Sequence, residues 1–194
     1  MKSTSFPQFI FGYHGCDRAV GEAVLAGKKK LDPSLNTYDW LGSGIYFWEQ
    51  SPRRALEWAQ SCVDNPRMTN GQIKEPFVLG AIINPGLCLN LTDVSSMQTL
   101  QAAFSLLVEL CRKKHQPLPT NTEQLRELDC RVINLAAELN KLRDYGNFDT
   151  VRGAFIEGEP IYPGAKIYHH THIQVCVRNL DCISGYFLPA NLDL

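Results

Sequence analysis

Apolar residues fall along this chain in two rhythms. Short runs with few polar interruptions read as strands, and longer stretches with apolar residues three or four apart read as helices. Residues 8–13 form the first apolar run, which His14 closes as a strand end. Residues 17–27 carry Ala19, Val20, Ala23 and Val24 at helical spacing and stop at Gly27. A loop rich in Asp, Pro, Ser, Asn and Gly follows over 32–43, then a short strand over 44–48. Ser51-Pro52 opens a helix that carries Ala55, Leu56, Trp58, Ala59 and Cys62. Residues 77–83 are almost wholly apolar and end at Asn84-Pro85-Gly86, the pattern of a central strand, with 87–91 a short continuation. Residues 94–114 and 123–143 read as two helices, the second with Leu125, Leu128, Val132, Leu135, Ala136 and Leu139 on one face. Beyond Asp149 the strand rhythm returns at 151–156, 173–177 and 182–187. This order predicts one α+β domain over 1–194 with a helical insertion at about 94–143.

Composition narrows the class. The 194 residues are 44% hydrophobic and 20% charged with net charge -1, so no global field draws the chain to nucleic acid or membrane. The basic runs at 28–30, 53–54 and 112–114 read as solvated faces. Seven scattered cysteines form no Cys-x-x-Cys pair and no zinc-finger spacing, which predicts buried, reduced thiols. No apolar run reaches the length of a membrane span, and Met1–Ser5 lacks the apolar stretch of a signal peptide; a cytoplasmic protein is expected. Phosphate loops, the Gly-x-Ser-x-Gly elbow and His-Glu-x-x-His are all missing. His169, His170 and His172 have no carboxylate or Cys nearby to complete a ligand set, so no metal is expected.

Two segments carry candidate chemistry. Gly12-Tyr13-His14-Gly15-Cys16 and Trp40-Leu41-Gly42-Ser43-Gly44-Ile45-Tyr46-Phe47-Trp48 each deliver a polar ring to a glycine-lined edge, where a ligand can approach the backbone closely. A His followed by Gly, then Gly-x-Tyr-Phe, resembles the NAD-binding half of the ADP-ribosyltransferase superfamily in its His-Tyr-Glu clade, the poly-ADP-ribose polymerases and diphtheria-type toxins. The ordered match runs over roughly residues 9–92. It implies a split mixed β-sheet with NAD as substrate. By that resemblance His14 holds the adenosine ribose, Tyr46 stacks on nicotinamide and Gly15 bonds its carboxamide. Ser43 and Gly44 match the small residues before the second strand, and Tyr38 is a further stacking candidate.

The resemblance breaks at the third catalytic position. The clade expects a glutamate on a late strand, and Gln174 stands there, with His172 two residues earlier on the same strand face. A Gln still accepts from and donates to a ribose hydroxyl, but carries no charge. Cleavage of NAD passes through an oxocarbenium-like state that a carboxylate would stabilise. Slower chemistry, with one transfer and no chain extension, is therefore expected. Glu157 in the turn before that strand is the candidate base for the incoming acceptor, with Glu49 a weaker carboxylate, and Arg152 is a candidate for the NAD pyrophosphate.

The resemblance thus implies a mono-ADP-ribosyltransferase acting on a macromolecular acceptor, protein or nucleic acid. By analogy it fits a bacterial effector, toxin or phage-defence enzyme, with the helical insertion as the surface for a target, antitoxin or inhibitor protein. Two rivals follow from the Gln: a module that binds NAD or ADP-ribose, or a partner, without turnover, and an NAD glycohydrolase with water as acceptor.

Overall fold

A computed structural model describes residues 9–69, 71–142, 145–190 and 192; the N-terminal residues read above for a signal peptide, and Arg143, lie outside them. The protein is α+β, with seven strands in one mixed sheet and four α-helices among the described residues. The strands are β1 (Ile10–Asp17), β2 (Ile45–Glu49), β3 (Pro76–Ile83), β4 (Cys88–Asn90), β5 (Thr150–Phe155), β6 (His172–Val177) and β7 (Ile183–Phe187). The helices are α1 (Arg18–Leu25), α2 (Pro52–Asp64), α3 (Val94–Lys113) and α4 (Glu127–Leu142). Spatial order is β4-β5-β6-β2-β1-β3-β7; β4 and β5 run parallel and every other pair antiparallel.

β1 runs on past His14 to Asp17, because Gly15, Cys16 and Asp17 keep pairing with Val78, Phe77 and Pro76 of β3. His14 is therefore mid-strand, not the strand end expected from its polarity and flanking glycines. Its neighbour on the other side behaves differently. β1 meets β2 at only two positions, Gly12↔Glu49 and Tyr13↔Trp48. Beyond Tyr13 the sheet divides: β1 follows β3, and β2 follows β6.

Asp17 caps α1 by accepting from Ala19 N, and the same carboxylate accepts from Lys74 N and Glu75 N, tying the helix start to the approach to β3. Pro52 sits in the first turn of α2 as the sequence predicts, although Ser51 makes no side-chain cap bond. Asp93 caps α3 through Ser95 N. The second helix of the insertion begins at Glu127, not 123: residues 121–126 form a turn with an Asn121↔Arg126 bridge, and Leu125 is exposed.

Strand alternation sorts the core. On one face Cys16, Phe47, Leu79, Ile83, Val175 and Val177 bury against Val24 of α1 and Leu31. On the other, Leu41, Leu89, Val151 and Cys176 pack against Ile133 and Ala137 of α4. Trp48 and Val78 bury against Ala55 of α2 on that same face. α2 and α4 thus share one face of the sheet over different strands, and the strip of that face between them, on β2 and β6, is termed the trough. All seven cysteines are unpaired, and burial pushes the Cys16 and Cys176 thiols up to about 12.

Gly15 sets how closely α2 can lie on β1. A Cβ there would run into the Ala55 carbonyl and come within 3.1 Å of the Trp58 ring. Gly15→Ala is therefore expected to destabilise the fold by about 1–3 kcal/mol through overpacking, read as a lower urea midpoint at unchanged slope.

Candidate functional site

The trough floor is built by register. Tyr13 of β1 lies opposite Trp48 of β2, and Trp48 opposite Gln174 of β6, so these side chains share one face. His172 and Phe155 join it from β6 and β5, with rings 5.8 Å apart. Trp48 lies 5.7 Å from Trp58 of α2 and 6.4 Å from His172, and Trp40 packs edge-on to Phe155 at 4.9 Å. Gln174 is half-buried among these rings.

A chain of charges closes one side. Arg54 of α2 donates to Glu57 at 3.1 Å and to Glu157 at 3.3 Å. Glu157 also lies 3.5 Å from His172 Nδ1, and His170 Nε2 lies 4.0 Å from Glu57. These contacts join the segment 156–171 to α2 across the trough. The His172 side chain is 1% exposed, against 32% for Glu157 and 17% for Arg54. His172 Nδ1 donates to His170 O at 2.7 Å. Burial holds the imidazole below its ordinary pKa, a fall that the His170 carbonyl and Glu157 partly offset while Arg54 and His170 add to it. Three buried polar atoms of this cluster have no hydrogen-bond partner: Trp48 Nε1, Arg54 Nε and His172 Nε2.

The structure brings Gln174 and Glu157 to this trough, but not the other expected residues. His14 projects from the opposite face, beside Phe47 at 5.6 Å. Its Nδ1 donates to Tyr46 O at 2.8 Å, bridging the point where β1 and β2 part. Burial lowers its pKa against the opposing effect of that bond, so the ring is neutral at pH 7 with Nε2 as acceptor.

Tyr46 shares the trough face, but its hydroxyl donates to Gly42 O at 2.6 Å and accepts from Leu41 N at 2.8 Å. Gly42 turns there with φ +75, a conformation a side chain resists. The ring packs with Leu41 and Cys176, and burial pushes the phenol far up. The Tyr46 ring is therefore partly buried beside α4, with its hydroxyl committed to the turn at Gly42.

Arg152, expected on the pyrophosphate, lies on the face opposite Gln174 and grips Glu49 at 2.6 and 2.9 Å, with Asn90 and Thr92 on its remaining nitrogen. Ser43 bonds Asn134 of α4 through its amide and hydroxyl, and its carbonyl accepts from Arg178. Gly44 pairs with Ser34 and lies against Cys176 and Val177. Gly15 is buried beneath α2, and Tyr38 lies in the exposed loop before Trp40.

Trp48, Arg54, Trp58 and Phe155 were not singled out for chemistry by the sequence, because their convergence depends on register and helix placement. His172 was legible from strand period alone. Among the described residues, no three His, Cys, Asp or Glu side chains come together as a metal cage, and no helix is long and apolar enough to cross a membrane.

The chain matches no protein-family model. It is 28% identical over 203 residues to Uncharacterized protein MJ0359 of Methanocaldococcus jannaschii, a match that covers 93% of this chain and 89% of that protein. No solved structure matches it.

The two low-pKa histidines give a pH signature. The unfolded chain binds protons near pH 6.5, whereas folded His14 and His172 take them up only at lower pH. Their contribution to stability is complete above about pH 6.5 and is lost as pH falls toward the folded values. The thermal midpoint is expected to hold from pH 8 to 7 and to drop between pH 6.5 and 5, above the range where Asp17 and Asp93, both held low by hydrogen bonds, titrate. A midpoint flat across that window would contradict this electrostatic reading.

A second expectation concerns Arg152. Removing it leaves the Glu49 side chain, 15% exposed, without its partner. Arg152→Ala should cost about 3 kcal/mol of folding stability by denaturant titration.

Proposed function

We propose that this protein is an NAD-dependent mono-ADP-ribosyltransferase with an ADP-ribosyltransferase-like fold. It cleaves the bond between nicotinamide and ribose and passes ADP-ribose to a macromolecular acceptor. The observation that carries the reading is the meeting of Gln174 with the Glu157–His172 pair in one aromatic-walled trough. Gln174 can hold a ribose hydroxyl but cannot answer the positive charge that grows at C1′ as nicotinamide leaves. Glu157 supplies a carboxylate on the same side, which offsets the missing glutamate. The division of the sheet between β1 and β2, bridged by His14, further supports it, since the resemblance implies a split mixed sheet.

In this scheme the C1′–N bond breaks and its electron pair neutralises the nicotinamide ring. The acceptor bonds to C1′, and Glu157 takes the acceptor's proton. Arg54 holds the carboxylate in place meanwhile, with His172 beside it.

One set of contacts favours a second reading, a module that binds NAD or ADP-ribose without turnover. The Tyr46 hydroxyl and the Arg152 guanidinium are committed to partners within the protein, and His14 lies on the far face from Gln174.

Nicotinamide release from NAD separates these readings. For a transferase, release depends on added acceptor or lysate; Gln174→Ala lowers it at least tenfold, and Glu157→Gln by about 10²-fold. Release to the same extent in buffer alone identifies a glycohydrolase. NAD binding without release under any condition identifies the binding module.

A further inference from the structure

Two of the unpartnered atoms in the trough are complementary to each other yet do not bond. Trp48 is 5% exposed and His172 6%, their rings 6.4 Å apart on the same sheet face. Trp48 lies opposite Gln174, and His172 stands two residues before it. The indole Nε1–H can only donate. On His172, Nδ1 already donates to the His170 carbonyl, so Nε2 of the neutral ring can only accept. The titratable groups facing this ring are Glu157 from the segment before β6, His170 beside it and Arg54 from α2.

Buried polar atoms without partners are rare and costly, and a pair of them beside a candidate catalytic residue calls for a ligand. The pair also selects that ligand's chemistry. A phosphate or carboxylate oxygen can accept from Trp48 but offers His172 nothing. An ammonium can donate to His172 but offers Trp48 nothing. A hydroxyl does both.

We propose that Trp48 and His172 are positioning residues that together recognise one hydroxyl of the ribose whose C1′ lies at Gln174, Trp48 donating to its oxygen and His172 accepting its hydrogen. This inference rests on NAD as the substrate and names the groups that orient its sugar. Gln174 then holds the neighbouring hydroxyl, and the ribose is fixed by two contacts instead of one.

Trp48→Phe tests it, because the exchange keeps an aromatic ring and deletes the N–H. Binding is measured by calorimetry with NAD and with NAD analogues lacking the 2′- or the 3′-hydroxyl of the nicotinamide ribose, alongside thermal midpoints. Wild type is expected to bind each of the two analogues about tenfold more weakly than NAD, one for want of the Trp48–His172 contact and the other for want of the Gln174 contact. Trp48→Phe should bind NAD about tenfold more weakly than wild type, bind one analogue no worse than NAD, and keep its discrimination against the other. Its thermal midpoint should fall only as far as the smaller ring's cavity requires, since no hydrogen bond is lost from the free protein. A purely structural indole would instead leave NAD affinity and discrimination against both analogues as in wild type.

Three results overturn the inference: unchanged NAD affinity in Trp48→Phe, a wild type indifferent to both hydroxyls, or discrimination against both analogues retained in the variant. Each leaves NAD as substrate standing. A wild type that binds neither NAD nor its analogues instead removes the functional reading itself, and the inference with it.

Discussion

The architecture turns on how little of β1 touches β2. Strand β1 pairs with β3 over its whole length, eight positions, but with β2 over two. Had the ladder continued, His14–Cys16 would have met Ile45–Phe47 and the sheet would be uniform across its centre. Instead the strands part after Tyr13, and a side chain bridges the gap: His14 donates to the Tyr46 carbonyl, a backbone acceptor that a continuing ladder with β1 would otherwise satisfy. The bond works only while Nδ1 carries a proton, and burial keeps the ring neutral in that tautomer. A residue expected to hold a ligand thus also closes the sheet where it divides.

The trough follows from the same division. β2 and β6 stay together through Tyr46↔Cys176 and Trp48↔Gln174, so the Gln174 strand is carried with β2. α2 lies over β1 and β3 because Gly15 lets it come close, and α4 lies over the other end of the sheet through Ile133 and Ala137. Between them the floor is aromatic, and apolar walls strengthen the few charges present. Arg54 sits between Glu57 and Glu157, and Glu157 between Arg54 and His172. Each charge in this chain is held by an opposite or neutral partner, so Glu157 stays fixed near Gln174 without a lone buried charge.

Much of the framework could be read from the sequence, since strands and helices carry their periods locally. All seven strands fall where apolar runs or alternation put them. The misplacements have physical causes. His14 and its glycines look like a terminus, yet Gly15 and Cys16 pair with β3, a non-local partner that no local pattern reveals. Leu125 fits a helical stripe, but the bridge from Asn121 to Arg126 delays the helix to Glu127. The site was legible only in part. Gln174 and His172 share a face by the two-residue period of one strand. Trp48 and Arg54 reach that face through a cross-strand register and a helix placement, both of which are tertiary.

The expected ligand groups that turned out to be engaged elsewhere are strong hydrogen-bonding side chains, and each ties its segment to a turn or to another element. Arg152 ties β5 to Glu49 at the end of β2 and to Asn90 at the end of β4. The Tyr46 hydroxyl closes the turn at Gly42. Ser43 fastens that turn to α4 through Asn134, and Arg178 holds both. These joints position the trough walls without lining the trough. Three of the buried polar atoms without partners, Trp48 Nε1, Arg54 Nε and His172 Nε2, belong to the trough cluster, and the others among the described residues belong to Asp39, Thr69 and Arg126. Unpartnered donors and an acceptor drawn from β2, α2 and β6 into one cluster point to a binding surface more strongly than any single residue identity, because folding alone gives no return for leaving them together.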